Sequence, residues 1–312
     1  MSTMKITQAA ERPAPSGLRS TIVRHPLVAY FILAYGLMWM FAVPMALSQN
    51  AGSGLLSYQL PAGLDNLLFL LATFSGPTVA ALIVTGVTEG RAGVGRLLKR
   101  FIQWRARPRW YLVALTINLV IWLLSYSVLM GPQVLIAAVL NWPLLFTTFL
   151  PMVAFGIILP SIAEEPGWRG FALPRLQQRY GPIIASLILG LLHGMWHVPA
   201  LMTINFGPLP LANYVPFMLI ALPGTMLYTW VYNKTNGSIL IAMLMHGASN
   251  AASVWLTTLL RDPGLEVPQA GVAGFLMSTN WIMVITYGLV ALLLVVLTRG
   301  RLGADTSSRP EA

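Results

Sequence analysis

Apolar residues in this chain gather into long runs broken by short polar stretches, the pattern of helices that face lipid on most sides. The runs are Pro26 to Leu47, Asp65 to Val87, Trp110 to Met130, Pro143 to Ile162, Pro182 to Leu201, Tyr214 to Tyr232, Ser238 to Leu260 and Trp281 to Leu297. Each is close to the roughly 20 residues that cross a hydrocarbon core about 30 Å thick at about 1.5 Å per residue. Gly76-Pro77 predicts a kink in the second run, and residues 131–142 predict a short interfacial segment. The expectation is therefore an all-α, polytopic membrane bundle of about eight transmembrane helices. It places a transmembrane domain over residues 26–298, between a disordered cytoplasmic tail at 1–25 and a second cytoplasmic tail at 299–312. No internal repeat is visible.

Composition strengthens the membrane assignment. Of 312 residues, 56% are hydrophobic and 9% charged, against about 25% charged in soluble domains. The first run is too long for a signal-peptide core. A net charge of +10 raises the question of nucleic acid, but the placement of the charges answers it. Segments 1–26, 89–109, 165–181, 233–237 and 298–312 hold four, seven, three, one and three Lys/Arg residues, which is 18 of the chain's 19. Basic residues collect in cytoplasmic loops, so this alternation puts both termini inside and supports eight spans. The expected surroundings are a cell membrane crossed many times, with no nucleic-acid partner. The chain has no cysteine, which removes disulfides, thiolate ligands and a cysteine nucleophile.

The chemistry sits where charge is least welcome. Nine acidic residues occur, and Glu164 and Glu165 are the sole adjacent pair, at the end of an apolar run. A charge at that depth costs about 2.5–3.5 kcal/mol on insertion scales. Neighbouring helix residues point about 100° apart, so the two carboxylates serve different partners. Glu165 and Arg169 have the i, i+4 order that favours an ion pair, which leaves Glu164 to face elsewhere. Pro166 predicts a kink close by. His193 and His197 share one helix face, and His246 and Asn250 share another at the same spacing. The remaining histidine, His25, lies in the basic N-terminal flank. His193 falls about 16 Å in from Pro182, and His246 about 12 Å in from Ser238, so both reach mid-depth. For the glutamates to meet them, the fourth helix must continue past Arg169 towards Tyr180. A carboxylate among imidazoles activates water by general-base catalysis. The same donors hold zinc with a position open for water, and an amide such as Asn250 donates to an oxyanion. Proton relays use Glu and His too, so a proton-coupled transporter stands as another reading. The outer halves of these spans carry few polar residues for such a path.

These residues resemble the CPBP family of CAAX proteases and bacteriocin-processing enzymes, which includes the type II CAAX prenyl endopeptidases. The Glu-Glu-x-x-x-Arg motif is matched by Glu164, Glu165 and Arg169, with Trp168 as the aromatic before the arginine. The Phe-x-x-x-His motif is matched at His197, with His193 at the phenylalanine position. The His-x-x-x-Asn motif is matched by His246 and Asn250. The resemblance covers about residues 140–260, the expected protease core. It implies an intramembrane endopeptidase acting on a membrane-associated protein or peptide, with a cavity open to the cytoplasmic side. It implies Glu164 as the base, assisted by His197, with Glu165 and Arg169 as support and His246 and Asn250 at the oxyanion. His193, His197, His246 and Glu164 are the candidate ligands if zinc is bound, and the family pattern leaves zinc open. The alternative it carries is a catalytically inactive scaffold or bacteriocin-immunity protein of the same fold.

Overall fold

A computed structural model describes residues 17–203, 211–262, 264–265 and 280–304. Among these the chain is helical throughout its regular structure, so the expected all-helical membrane bundle is borne out. A short α1 (Leu18–Arg24) replaces irregular chain in part of the expected tail, while residues 1–16 and 305–312 of the two tails lie outside the described residues. α2 (Pro26–Leu47), α4 (Pro77–Lys99) and α5 (Pro108–Met130) each begin on a proline, whose missing N–H has no partner to lose in a first turn. α3 (Leu64–Ser75) and α4 form one bent unit, turned by 42° at Gly76, where the sequence predicts a kink. α6 (Gln133–Leu140) occupies the expected interfacial segment.

The centre of the fold is a helical run from Leu145 to Trp196, 52 residues long. At about 1.5 Å per residue it would reach about 78 Å if straight, more than twice a hydrocarbon core. It breaks at Gly181, whose φ of 74° and ψ of 171° lie outside the helical region. We call its arms α7 (145–180) and α8 (182–196). They are followed by α9 (Val198–Leu201), α10 (Leu211–Lys234), α11 (Ile239–Leu259) and α12 (Asn280–Leu297). Ser238 caps α11 by accepting a bond from the Ile241 N–H at 3.2 Å. By length and apolarity, five helices among the described residues are able to cross a membrane, or six with the bent pair counted as one, and the 52-residue run is one of the five.

Two apolar cores flank α7 and α11. One joins α5, α10, α11 and α12 to residues such as Phe149 and Val153 of α7. The other packs α2, α4 and α8 around Trp168, Phe171 and Leu173 of α7. Lipid gives no hydrophobic drive for helix association, so close backbone approach through small residues has to supply it. Gly156 of α7 and Gly247 of α11 do this. A Cβ on Gly156 would stand 2.8 Å from the Gly247 Cα, and one on Gly247 would stand 2.7 Å from the Val153 carbonyl oxygen. This contact fixes how near His246, the neighbour of Gly247, comes to the glutamates.

Gly247→Val should therefore lower the thermal midpoint in detergent by the upper part of the roughly 1–3 kcal/mol range of overpacking. Gly36→Ala, at a position with no atom within 4 Å, should leave it unchanged. Thermal unfolding of both variants checks the pair.

Candidate active site

The glutamates stand on an unusual piece of helix. Residues 157–161 and 166–172 of α7 are π-helical turns, with Glu164 and Glu165 on the short α segment between them. Such widened turns occur often at functional sites. Here they absorb Pro160 and Pro166, neither of which can donate a backbone bond. The helix is not interrupted at Pro166: Glu165 keeps φ −61° and ψ −35°, and the turn that follows is widened. α7 runs on to residue 180, as convergence of the site requires.

The two carboxylates part as their helical positions demand. Glu165, fully buried, accepts a bond at Oε1 from Arg169 Nη1 at 2.9 Å and one from His246 Nδ1 at 2.8 Å. The Arg169 guanidinium lies 4.2 Å above the centre of the Tyr228 ring, a cation–π contact in a dry setting. Because a carboxylate paired with arginine only accepts, Nδ1 of His246 carries the proton and its Nε2 is left for the cavity. Glu164 faces the other way. Its Oε2 accepts from His193 Nε2 at 2.9 Å and from Trp168 Nε1 at 3.3 Å. Among the described residues no protein donor reaches its Oε1. His197 Nδ1 lies 3.0 Å from the His193 carbonyl. A carbonyl only accepts, so that nitrogen holds the proton and Nε2 of His197 offers a lone pair.

Neighbouring helices fix these side chains. Trp196 donates to the Ala34 carbonyl and Trp39 to the Trp196 carbonyl, each at 3.0 Å, and the Tyr35 hydroxyl bonds the Leu192 carbonyl. All three clamp α8, with His193 on it and His197 at its end, onto α2. Tyr287 donates to Asn118 at 2.8 Å, and Asn118 bonds the Met245 carbonyl at 3.4 Å, holding α11 one residue before His246. Sequence reasoning missed Tyr228, Asn118 and Tyr287. A polar tip in mid-span was the signal available for each.

Glu164, His193 and His197 bring ligand atoms within 4.8 Å of one another, a nitrogen, nitrogen and oxygen set. Such a set of donors could hold a metal ion. His246, a fourth candidate ligand by sequence, falls outside this group because Glu165 holds it. All seven sequence-predicted residues do line one cavity of about 750 Å³.

The cavity extends from the glutamates away from the basic loops. Its wall begins at Met38 on α2, at Asn118 on α5, at His193 on α8 and at His246 on α11, and each continues away from the basic ends of those helices. It reaches Met45, Thr203 and Thr257. On the basic side the space is filled by Trp168, Phe171, Leu173 and Ile239, none more than 1% exposed. Arg100 closes that end, bonding the Gly170 and Gly237 carbonyls at 3.0 Å. Arg169 is likewise a buried site residue, 2% exposed, and no loop charge, which leaves the asymmetry of the other basic residues intact.

Residues 145–252 match the family described as type II CAAX prenyl endopeptidase Rce1-like. The protein named CAAX prenyl protease 2 of Methanococcus maripaludis is 34% identical over 105 residues. That match covers 32% of this chain and 38% of the relative, so it spans well under half of either. The resemblance stated from the three motifs is borne out over the stretch that contains them.

Removing one member of a buried ion pair leaves the other unpaired, at about 3–5 kcal/mol. Glu165→Gln should accordingly lose thermal stability in detergent, as should Arg169→Gln. The double variant should recover part of the loss, since the two costs are coupled. A full thermodynamic cycle by thermal unfolding measures this.

Proposed function

We propose that this chain is an intramembrane endopeptidase that hydrolyses a peptide bond of a membrane-associated protein or peptide, and that the stretch similar to type II CAAX prenyl endopeptidases forms its active centre. The proposal includes eight crossings with both termini cytoplasmic. Two crossings come from the arms of the run broken at Gly181, one from the bent pair, and one from the shorter Trp281–Leu297. The basic residues then fall on the cytoplasmic side as the charge rule requires.

The observation that carries the reading is Glu164. It sits in the wall of a large, mostly apolar cavity with one oxygen held by two donors and the other facing no protein donor among the described residues, near the lone-pair nitrogen of His197. In the proposed reaction Glu164 takes a proton from water as the water oxygen bonds to the scissile carbonyl carbon. His197 Nε2 orients that water. The carbonyl oxygen gains the charge, and the Asn250 amide stabilises it from α11 by donating hydrogen bonds, joined by His246 Nε2 when that ring, held by Glu165, carries a second proton. Collapse breaks the carbon–nitrogen bond, and the proton on Glu164 passes to the leaving nitrogen. Glu165 stays an ion and does no proton transfer; with Arg169 it holds His246 in place. A divalent metal bound by Glu164, His193 and His197 would supply an acidified water at neutral pH.

Glu164→Gln should abolish cleavage while leaving the thermal midpoint near that of the wild type, since an isostere removes the base and keeps its volume. Membrane proteomes of cells carrying wild-type and Glu164→Gln protein should differ by an uncleaved precursor. Equal proteomes would leave the inactive scaffold as the reading.

Metal held by the purified protein should be lost in His193→Ala and His197→Ala and kept in His246→Ala. Elemental analysis after dialysis, with chelated protein as the baseline, measures it independently of activity.

A further inference from the structure

The basic face holds a second pocket, apart from the glutamates. Its volume is about 740 Å³, and it lies between the α4–α5 connection and the turn from α10 to α11. Arg105, Arg107 and Arg109 border it from the first and Lys234 from the second, with Trp104 and Trp110 as apolar walls. Other cations of this face are already engaged. Arg96 and Arg175 pair with Glu89, and Arg100 bonds backbone carbonyls. Among the described residues, no carboxylate or hydrogen-bond acceptor is paired with any of the four cations at the pocket. A topological signal needs basic residues only on one side of the membrane. It does not need them gathered from two connections around one space.

That space is built firmly. Gln103 donates to the Asn236 carbonyl at 3.2 Å, Ser238 to the Gln103 carbonyl at 2.7 Å and Arg100 to the Gly237 carbonyl at 3.0 Å, which ties the two connections together. Lys234 packs on Gly303, where an added Cβ would stand 3.0 Å from its Cε. Arg105 lies 5.7 Å over the Trp104 ring and Arg109 lies 5.3 Å over the Trp110 ring. Such stacking restrains a guanidinium and leaves its N–H edge free to donate. The start of α5 adds charge of the same sign, because Arg107 at its N-cap makes no side-chain bond and the positive end of the helix borders the pocket. Beside it stand exposed apolar side chains: Ile102, Trp104 and, in the first turns of α5, Leu112. Tryptophan at the foot of a span sits at headgroup level.

We infer that this pocket binds the headgroup of an anionic glycerophospholipid. Its phosphate oxygens accept from Arg105, Arg107, Arg109 and Lys234, and its acyl chains lie along Ile102 and Leu112. Four cations suit two phosphates better than one, so a lipid of the diphosphatidylglycerol kind binds more tightly than one with a single phosphate. The inference stands independently of the hydrolytic reading.

Full-length protein in detergent, titrated with diphosphatidylglycerol, phosphatidylglycerol, phosphatidylcholine or inorganic diphosphate and followed by native mass spectrometry, tests this. Diphosphatidylglycerol should bind tightest and phosphatidylcholine should not compete with it. Replacing two pocket cations together, Arg105→Gln with Lys234→Gln, should weaken its binding by about tenfold or more. Arg91→Gln with Arg179→Gln removes two exposed charges of the same face outside the pocket and should leave binding unchanged. The lipid should also raise the thermal midpoint of the wild type and of this control, and not that of the pocket variant. Equal loss of binding in both variants assigns the attraction to the face as a whole and overturns the inference. Inorganic diphosphate binding as tightly as the lipid overturns the lipid as the source of the phosphates. Asp305 lies outside the described residues; if Asp305→Asn binds a lipid that the wild type does not, the chain's own carboxylate is the occupant and the inference falls.

Discussion

The ion pair of Glu165 and Arg169 is the interaction on which the rest of the site depends. Both groups are withdrawn from water at a depth where either alone would be intolerable. Two further contacts support the pair: His246 donates to the same Oε1 of Glu165, and Tyr228 places its ring face under the guanidinium, while Glu165 Oε2 and Arg169 Nε meet no hydrogen-bond partner among the described residues. α7, α10 and α11 are thereby drawn to one point. A buried pair is weak evidence for stability in itself. Its value here is positional, since it sets the tautomer and direction of His246 and so decides which nitrogen that ring shows to the cavity.

Two adjacent carboxylates in one low-dielectric site would repel strongly if they shared a space. The helix prevents this by sending them in different directions, and each then meets a different set of donors. Glu165 meets a permanent cation. Glu164 meets neutral donors, Trp168 and His193, which hold its position without saturating it. One residue is thus paired with a cation, and the other keeps an oxygen without a protein donor among the described residues.

Much of this was legible in the sequence. Spacings of i, i+4 put His193 with His197, Glu165 with Arg169, and His246 with Asn250, and run lengths put His193 and His246 at mid-depth. Helix geometry is local, so local spacing reads it. The partition of the histidines was not legible. His193 joins Glu164 and His246 joins Glu165 because of how α7 rotates against α8 and α11, and the Gly156–Gly247 contact that sets this rotation pairs residues far apart in the chain. The direction of the cavity escaped too. Polar residues mark where a site is, whereas apolar side chains of equal hydropathy either plug a space, as Phe171 does, or line it, as Phe155 does.

The π-helical turn at residues 157–161 gives the chain an uneven tolerance for changes in length. A π turn spends one residue more than an α turn over the same advance. Loss of a single codon within it can be repaired by tightening to α, with everything beyond staying where it was. The same loss in the α segment at 150–156 moves Gly156 away from Gly247 even if the turn at 157–161 tightens, and without that tightening turns the distal helix by about 100°, bringing Glu165 into the direction now held by Glu164. Tightening without a deletion would do the opposite, pushing Ala163 into that direction and leaving a methyl group where the carboxylate stands. The lineage of this protein is thus freer to shorten its longest helix at its widest turn than in the regular turns beside it.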